Sequence, residues 1–227
     1  MLLRLIIFYV AIGSNDITTL IALFNTVIAF RSDHNVAGEV AGLRTITAAL
    51  KSDPALYTQW LQACALPPLW TLYWRWADVL TLPAVATTAP PREPSPPAAD
   101  ATALALQEAW IAAMSDTNID TNNQTMLLCR LTGFYVQRGW FQLAENLCLG
   151  ALTAAKSPQQ SLIFKGIYCD VLQSIYSSMD PLVAQQNYLP RIQANMAAML
   201  ESCQQQKQRD RSWIAALGIM RCNLFLL

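Results

Sequence analysis

The stretch LCRLTGFYVQRGWFQLAENLCLGA, residues 128 to 151, has the residue spacing of two short helices separated by a tight turn. Leu128, Leu131 and Tyr135 recur at intervals of three and four residues, which places them on one face of a helix. Between the two helices, Gly139 can adopt a positive backbone φ and end the first helix in a left-handed cap. The second helix repeats the apolar spacing with Leu143, Leu147 and Ala151.

Small side chains occur where these two helices are expected to cross. Ala144 and Ala151 would let the helix axes approach to roughly 8–10 Å. Tyr135 and Phe141 would fill the space beside them. The stretch therefore predicts an antiparallel helical hairpin.

This hairpin resembles the tetratricopeptide repeat family. The residues that carry the resemblance are Leu131, Tyr135, Gly139, Phe141, Ala144 and Ala151. The family often has tryptophan, glycine, an aromatic residue and proline at four further positions, which here hold Leu128, Thr132, Cys148 and Lys156. The resemblance implies an all-α, right-handed superhelix of hairpins that holds another protein or a peptide and has no catalytic role. An ordinary helical bundle is the alternative, because one repeat cannot bury its own apolar face.

The resemblance also implies where a partner would bind. The concave face of such a repeat is lined by the first helix of each hairpin, so Arg130, Gln137 and Arg138 are candidate partner-binding residues. Weaker signs of neighbouring repeats lie at Gly166 with Tyr168 and near the end of the chain at Trp213, Leu217 and Gly218.

Composition favours a folded chain and argues against a nucleic-acid surface. Hydrophobic residues make up 54% of the sequence and charged residues 13%, which is enough apolar material for a core. The 15 basic residues equal the 15 acidic ones, whereas phosphate binding needs a clustered basic excess. The short basic run at 207–211 is interpreted as a solvated helix end or linker. We expect a protein or peptide partner.

No pattern for catalysis, a metal or a cofactor is found in the sequence. Phosphate-binding and dinucleotide-binding glycine loops and the nucleophile turn of hydrolases are all missing. The only histidine, His34, lies in a polar loop and is expected to be an exposed turn residue. The six cysteines lack the paired spacing of zinc sites: Cys64, Cys129, Cys148, Cys169, Cys203 and Cys222. Four of them lie on predicted apolar helix faces, where a thiol packs as a small hydrophobic group, which favours a reducing compartment. A Cys129–Cys148 disulfide is the alternative for one pair. We predict a chain that is not an enzyme.

The amino terminus has two interpretations. Residues 2–12 are apolar with Arg4 near their start, as in a signal peptide or membrane anchor. A polar break follows before a second apolar run, Ile17 to Phe30, and neither run has the roughly 20 residues needed to cross a bilayer. The two runs also fit a buried helical hairpin, with Asn15 or Asp16 capping its second helix.

Further helices are predicted before the proline-rich segment. Residues 35–51 have helical spacing with Asp33 or Asn35 as the cap, and Asp53 and Pro54 begin the next helix. Trp70 and Trp74, one turn apart, are candidate partner-binding residues. The alternative is that these aromatic residues seal the end of a helical layer.

The proline-rich segment 83–99 divides the chain in this prediction. Its prolines disfavour helix, so it is expected to be an extended tether between an amino-terminal helical region, residues 1–82, and a tetratricopeptide-like domain, residues 100–227. It could also serve as a ligand for an aromatic groove. In the second region, predicted helices begin at Asp100, run from Ser161 to Met179 and from Gln185 to Gln206, with Pro190 as an alternative start for the last.

The apolar end Leu224–Leu227 lacks the polar face of a terminal repeat and suggests contact with a larger assembly. The favoured function is a cytoplasmic adaptor or scaffold that binds a protein or peptide. The alternatives are a membrane-associated or secreted subunit anchored by residues 2–30, and the regulatory sensor part of a larger signalling ATPase.

Overall fold

The computed structural model describes residues 16–63, 66–81 and 100–205. Within these ranges the chain forms ten α-helices and no strand, so the prediction of an all-helical protein is confirmed. In chain order the helices are α1 Ile17–Ser32, α2 Val36–Ser52, α3 Pro54–Gln62, α4 Leu69–Leu80, α5 Ala101–Ser115, α6 Thr121–Gln137, α7 Phe141–Thr153, α8 Pro158–Ser178, α9 Pro181–Asn187 and α10 Leu189–Gln205.

The helices belong to two compact units, one ending at Leu131 and the other beginning at Thr132, so the division falls inside α6. The helix that follows the proline-rich segment, α5, packs against α4, which precedes that segment. Both sides of the segment therefore belong to the first unit. The segment itself lies outside the described residues.

Short polar side chains set the start of most helices. Asp16, Asn35 and Asp53 each accept hydrogen bonds from backbone N–H groups in the first turn of α1, α2 and α3. Asp100 and Ser157 do the same for α5 and α8. These bonds satisfy N–H groups that have no partner within the helix. Of the predicted alternatives, Asp16 rather than Asn15 caps α1, and Asn35 rather than Asp33 caps α2.

The core of the first unit is built by α1 to α5. It contains a T-shaped contact between Phe24 and Trp60, with ring centroids 5.6 Å apart, and the Trp60 indole N–H donates to the Pro67 carbonyl at 2.7 Å. Helices α1 and α2 approach closely at Gly42, where a Cβ atom would overlap the Val27 side chain. Other large buried residues of this unit include Leu20, Leu23, Leu43, Ile46, Leu50, Leu56, Leu72, Leu106, Leu127, Leu128 and Leu131.

The core of the second unit is built around α8. This helix packs against α7, α9 and α10 and buries Phe164, Leu172 and Ile175. Met179 and Asp180 separate α8 from α9, which begins at Pro181 with Asp180 as its N-cap. The helix predicted over residues 185–206 begins later, at Leu189, so its alternative start near Pro190 is the one observed.

The predicted turn at Gly139 is present. Gly139 has a φ of +74° between the end of α6 and the start of α7, and its N–H donates to the Val136 carbonyl at 3.0 Å. The Trp140 N–H donates to the Tyr135 carbonyl at 2.9 Å. Together these two bonds form a Schellman motif, in which a left-handed residue satisfies the last carbonyls of a helix.

Several predictions concern residues outside the described ranges: the apolar run 2–12, Cys64, the basic run 207–211, and the carboxy-terminal apolar helix with Trp213, Leu217, Gly218, Cys222 and Leu224–Leu227. Among the described helices, none combines the length and the hydropathy that a bilayer crossing requires.

Candidate functional site

Two of the five predicted partner-binding residues contact each other in the first unit. The guanidinium carbon of Arg130 lies 4.3 Å from the ring centroid of Trp74, and Arg130 also forms an ion pair with Asp78. Such a stack is stabilising because the ring face carries partial negative charge. Trp74 and Arg130 are both half-buried, so part of each side chain is already used in this internal contact. A role for either towards a partner remains a prediction.

The other three candidates are placed differently. Trp70 lies one turn before Trp74 on α4 and is half-buried. Gln137 and Arg138 belong to the second unit, where Gln137 is exposed and the Arg138 guanidinium lies 5.2 Å from the centroid of the Phe134 ring.

A groove of about 600 Å³ lies in the first unit and was not predicted from the sequence. Its walls come from the end of α2, from α3, from the start of α4 and from the second half of α5 with the three residues after it. Two large aliphatic side chains line it and remain largely exposed, Leu61 at 51% and Ile111 at 58%. Its size is within the range of cavities that bind small ligands or a few side chains of a peptide.

The polar rim of the groove carries more negative than positive charge. Lys51 forms an ion pair with Glu108, with Nζ 2.6 Å from Oε1. Asp116 follows α5 as its C-cap and accepts a hydrogen bond from the Asn118 N–H at 2.8 Å. The groove lining therefore contains one cationic side chain and two carboxylates.

Two tyrosines form part of the groove wall. The Tyr57 hydroxyl accepts a hydrogen bond from the Leu69 N–H at 3.2 Å, which ties α3 to the start of α4. Burial raises the pKa of Tyr57, and the Asp116 carboxylate adds to the rise. Burial and the Glu108 charge raise the pKa of Tyr73 to about 12. Both hydroxyls stay protonated at neutral pH, so the negative charge of the groove comes from its carboxylates.

The second unit contains a buried ionic cluster. Glu145 is 3% exposed and accepts two hydrogen bonds from Arg191, one of them at 3.2 Å from Nη1. The same guanidinium donates to the Tyr168 hydroxyl at 2.8 Å and lies 5.3 Å from the ring centroid of Tyr188. The cluster joins α7, α8 and α10, and its contacts are all within the protein. We interpret it as a structural cross-link.

The described residues offer little for metal or acid–base chemistry. They contain no group of three or more metal-ligating side chains. His34 is exposed in the turn between α1 and α2, as predicted. Cys148 and Cys169 are buried thiols, and burial raises the pKa of Cys169, which disfavours the reactive thiolate. Cys129 is exposed.

Comparison of the chain with models of known protein families, with curated proteins and with solved structures finds no match in any of the three.

Proposed function

We propose that the chain is a non-catalytic, helical protein–protein interaction module, an adaptor, a scaffold or a sensor part of a larger assembly, and that the groove of the first unit holds a segment of the partner. The observation that carries this proposal is the exposure of Leu61 and Ile111 in the same concave surface. A ligand that covers large exposed aliphatic side chains removes their apolar surface from water, which stabilises the complex.

The finer proposal, for residues 128–151, is a tetratricopeptide-like hairpin. It is supported by the left-handed turn at Gly139 and by the burial of Tyr135, Ala144 and Ala151, which are at most 3% exposed. The buried thiols Cys148 and Cys169 support a reducing compartment such as the cytoplasm.

The proposal is tested by retention of cellular proteins on the immobilised chain. Ile111→Arg places a charged side chain in the groove and should abolish retention of the specific partner. Ile28→Arg is the matched control, because Ile28 is also helical and 48% exposed but does not line the groove. Retention that survives Ile111→Arg, or that is lost equally with both variants, contradicts the role of the groove. Arg138→Glu tests the concave-face candidate in the same assay, with circular dichroism confirming that each variant is folded.

A further inference from the structure

The two halves of the groove differ in chemistry. Leu61 on α3 and Ile111 on α5 provide an apolar half. The other half lies at the carboxy-terminal end of α5, where the carbonyl groups of the last turn carry partial negative charge. No basic residue occurs in that last turn, and Asp116 adds a full negative charge directly after it.

The lining residues of the groove do not place a cation at the carboxy-terminal end of α5. Lys51 is the one cationic residue among the lining residues, and its Nζ is held 2.6 Å from Glu108. Within the described part of the chain, Asp116 has a hydrogen bond to the Asn118 N–H and no ion pair. A ligand that brings a positive charge to Asp116 would compensate both the carboxylate and the helix end.

The spacing on α5 limits how the ligand is arranged. Ile111 precedes Asp116 by five residues, a rise of roughly 7.5 Å along the helix axis. Five residues also turn by about 140° about the helix axis, so the two side chains are farther apart than this rise. A ligand that contacts both needs a long cationic side chain beside an apolar one. Residues three or four positions apart on a helix have Cβ atoms roughly 5–6 Å apart, and a lysine or arginine side chain spans the remainder.

We propose that the groove binds a segment of a partner protein through one lysine or arginine side chain placed about one helical turn from a leucine-like side chain. This inference rests on the proposed function and specifies the class of ligand. Charge complementarity selects such a segment over an acidic or uncharged one, while the apolar contact supplies the area that is removed from water.

The probe for this inference is a library of random dodecapeptides displayed on phage and selected on the whole immobilised protein. Selected peptides should be enriched in lysine or arginine three or four residues from leucine, isoleucine, methionine or phenylalanine. Asp116→Asn keeps an acceptor for the Asn118 N–H but removes the charge. A selected peptide, measured by fluorescence anisotropy, should bind this variant roughly fivefold more weakly and with less dependence on salt.

The matched control is Asp33→Asn. Asp33 is also the C-cap of a helix in the first unit but lies away from the groove, so its neutralisation should leave peptide binding unchanged. Selection of uncharged or acidic peptides, or equal binding to wild type and Asp116→Asn, overturns the cation requirement. If such peptides are still displaced by Ile111→Arg, the groove remains a binding surface and only this inference fails. If no peptide is selected, both this inference and the peptide-binding role of the groove fail.

Two other occupants have distinct outcomes. A synthetic peptide of residues 83–97, which contains Arg92 among its prolines, would displace selected peptides if the chain supplies its own ligand. Self-association that Ile111→Arg abolishes, measured by sedimentation, would identify a second copy. Either result overturns the assignment of the groove to a partner's basic segment.

Discussion

Each unit contains a short turn between two helices, and the last two residues of each turn have nearly the same backbone angles. The turns differ in which of these two positions is occupied by a residue that favours its conformation. In the first turn, His34 has a φ of +54° and Asn35 follows with φ −84° and ψ 78°. In the second turn, Gly139 has a φ of +74° and Trp140 follows with φ −84° and ψ 56°. Each pair therefore ends one helix with a left-handed residue and begins the next helix with a residue that is neither helical nor extended.

The first turn is stabilised at its second position. Asn35 accepts a hydrogen bond from the Gly38 N–H at 3.0 Å and so caps α2. His34 is a non-glycine residue in a left-handed conformation, which costs roughly 1–2 kcal/mol. The hydrogen bond of the Asn35 cap thus offsets part of the backbone cost of the left-handed His34.

The second turn has the opposite distribution. Gly139 adopts its positive φ without steric cost, whereas Trp140 makes no side-chain capping bond to α7. The Trp140 ring instead contacts Tyr135 and Phe134, with centroids 5.8 Å and 6.2 Å away. An apolar contact between the residue after the left-handed position and the last turn of the helix is a common part of this motif. In each turn, then, one of the two residues is well suited to its position: the capping Asn35 in the first turn and the left-handed Gly139 in the second.

Each unit also contains a buried glutamate paired with an arginine. The two pairs differ in the number of hydrogen bonds that the arginine donates to the glutamate. Glu39 accepts one hydrogen bond from Arg75 Nε at 2.7 Å. Glu145 accepts two from Arg191, whose guanidinium also binds the Tyr168 hydroxyl. Both carboxylates are 3% exposed. The Glu145–Arg191 pair of the second unit therefore has more hydrogen bonds than the Glu39–Arg75 pair of the first.

The largest expected effect comes from removing these arginines. Arg191→Ala should lower the free energy of unfolding by roughly 3–4 kcal/mol, because the buried Glu145 carboxylate loses both hydrogen bonds from the guanidinium. Arg75→Ala should cost less, about 2–3 kcal/mol, since Glu39 loses one bond rather than two. Urea unfolding measures the total change, and hydrogen exchange assigns it to a unit.

The exposed Arg44 on α2 provides the control for this comparison. Arg44→Ala should change stability by no more than about 0.5 kcal/mol. An Arg75→Ala variant that is destabilised more than Arg191→Ala would show that the number of hydrogen bonds does not rank the two pairs.

Local chemistry made several parts of the fold predictable from the sequence. Asp16, Asn35, Asp53 and Asp100 were predicted as caps, because an N-cap depends on a side chain and the N–H groups two or three residues later. The turn at Gly139 was predictable for the same reason. The turn at His34 was also predicted but its left-handed conformation was not, since histidine is a much weaker signal for a positive φ than glycine.

The groove could not be predicted because it depends on which apolar side chains the tertiary structure leaves uncovered. Trp110 and Ile111 are adjacent on α5, yet Trp110 is 8% exposed and Ile111 is 58% exposed. Helix α5 is apolar on most of its surface, so its sequence does not distinguish a core face from a binding face. Likewise Trp74 and Arg130 were each predicted as candidates, but their contact joins residues far apart in the sequence.

An intermediate effect is expected from truncating the second residue of each turn. Trp140→Ala should destabilise the second unit by roughly 2–3 kcal/mol, because it removes both ring contacts and part of a half-buried side chain. Asn35→Ala should cost about 1 kcal/mol through the lost cap. Thermal unfolding of the two variants checks this order. Trp140→Phe, which keeps an aromatic contact, should recover part of the loss, whereas an unchanged stability in Trp140→Ala would show that the turn does not depend on the rings.

The smallest effects, of opposite sign, are expected at the left-handed residues themselves. Gly139→Ala should destabilise by about 1 kcal/mol, and His34→Gly should stabilise by roughly 0.5–1 kcal/mol, because each changes the fit of the residue to a positive φ. A Cβ at Gly139 would meet no atom within 4 Å, so the cost arises from the backbone and not from a clash.

Gly133 provides a matched control because it also has open space around its Cα but lies within α6. Gly133→Ala should therefore stabilise by about 0.5–1 kcal/mol through helix propensity, while the same substitution six residues later destabilises. Unfolding midpoints in urea measure all three changes. If His34→Gly lowers the midpoint, the histidine side chain stabilises its turn by more than its backbone conformation costs, and the two turns do not differ in the way that their φ angles indicate.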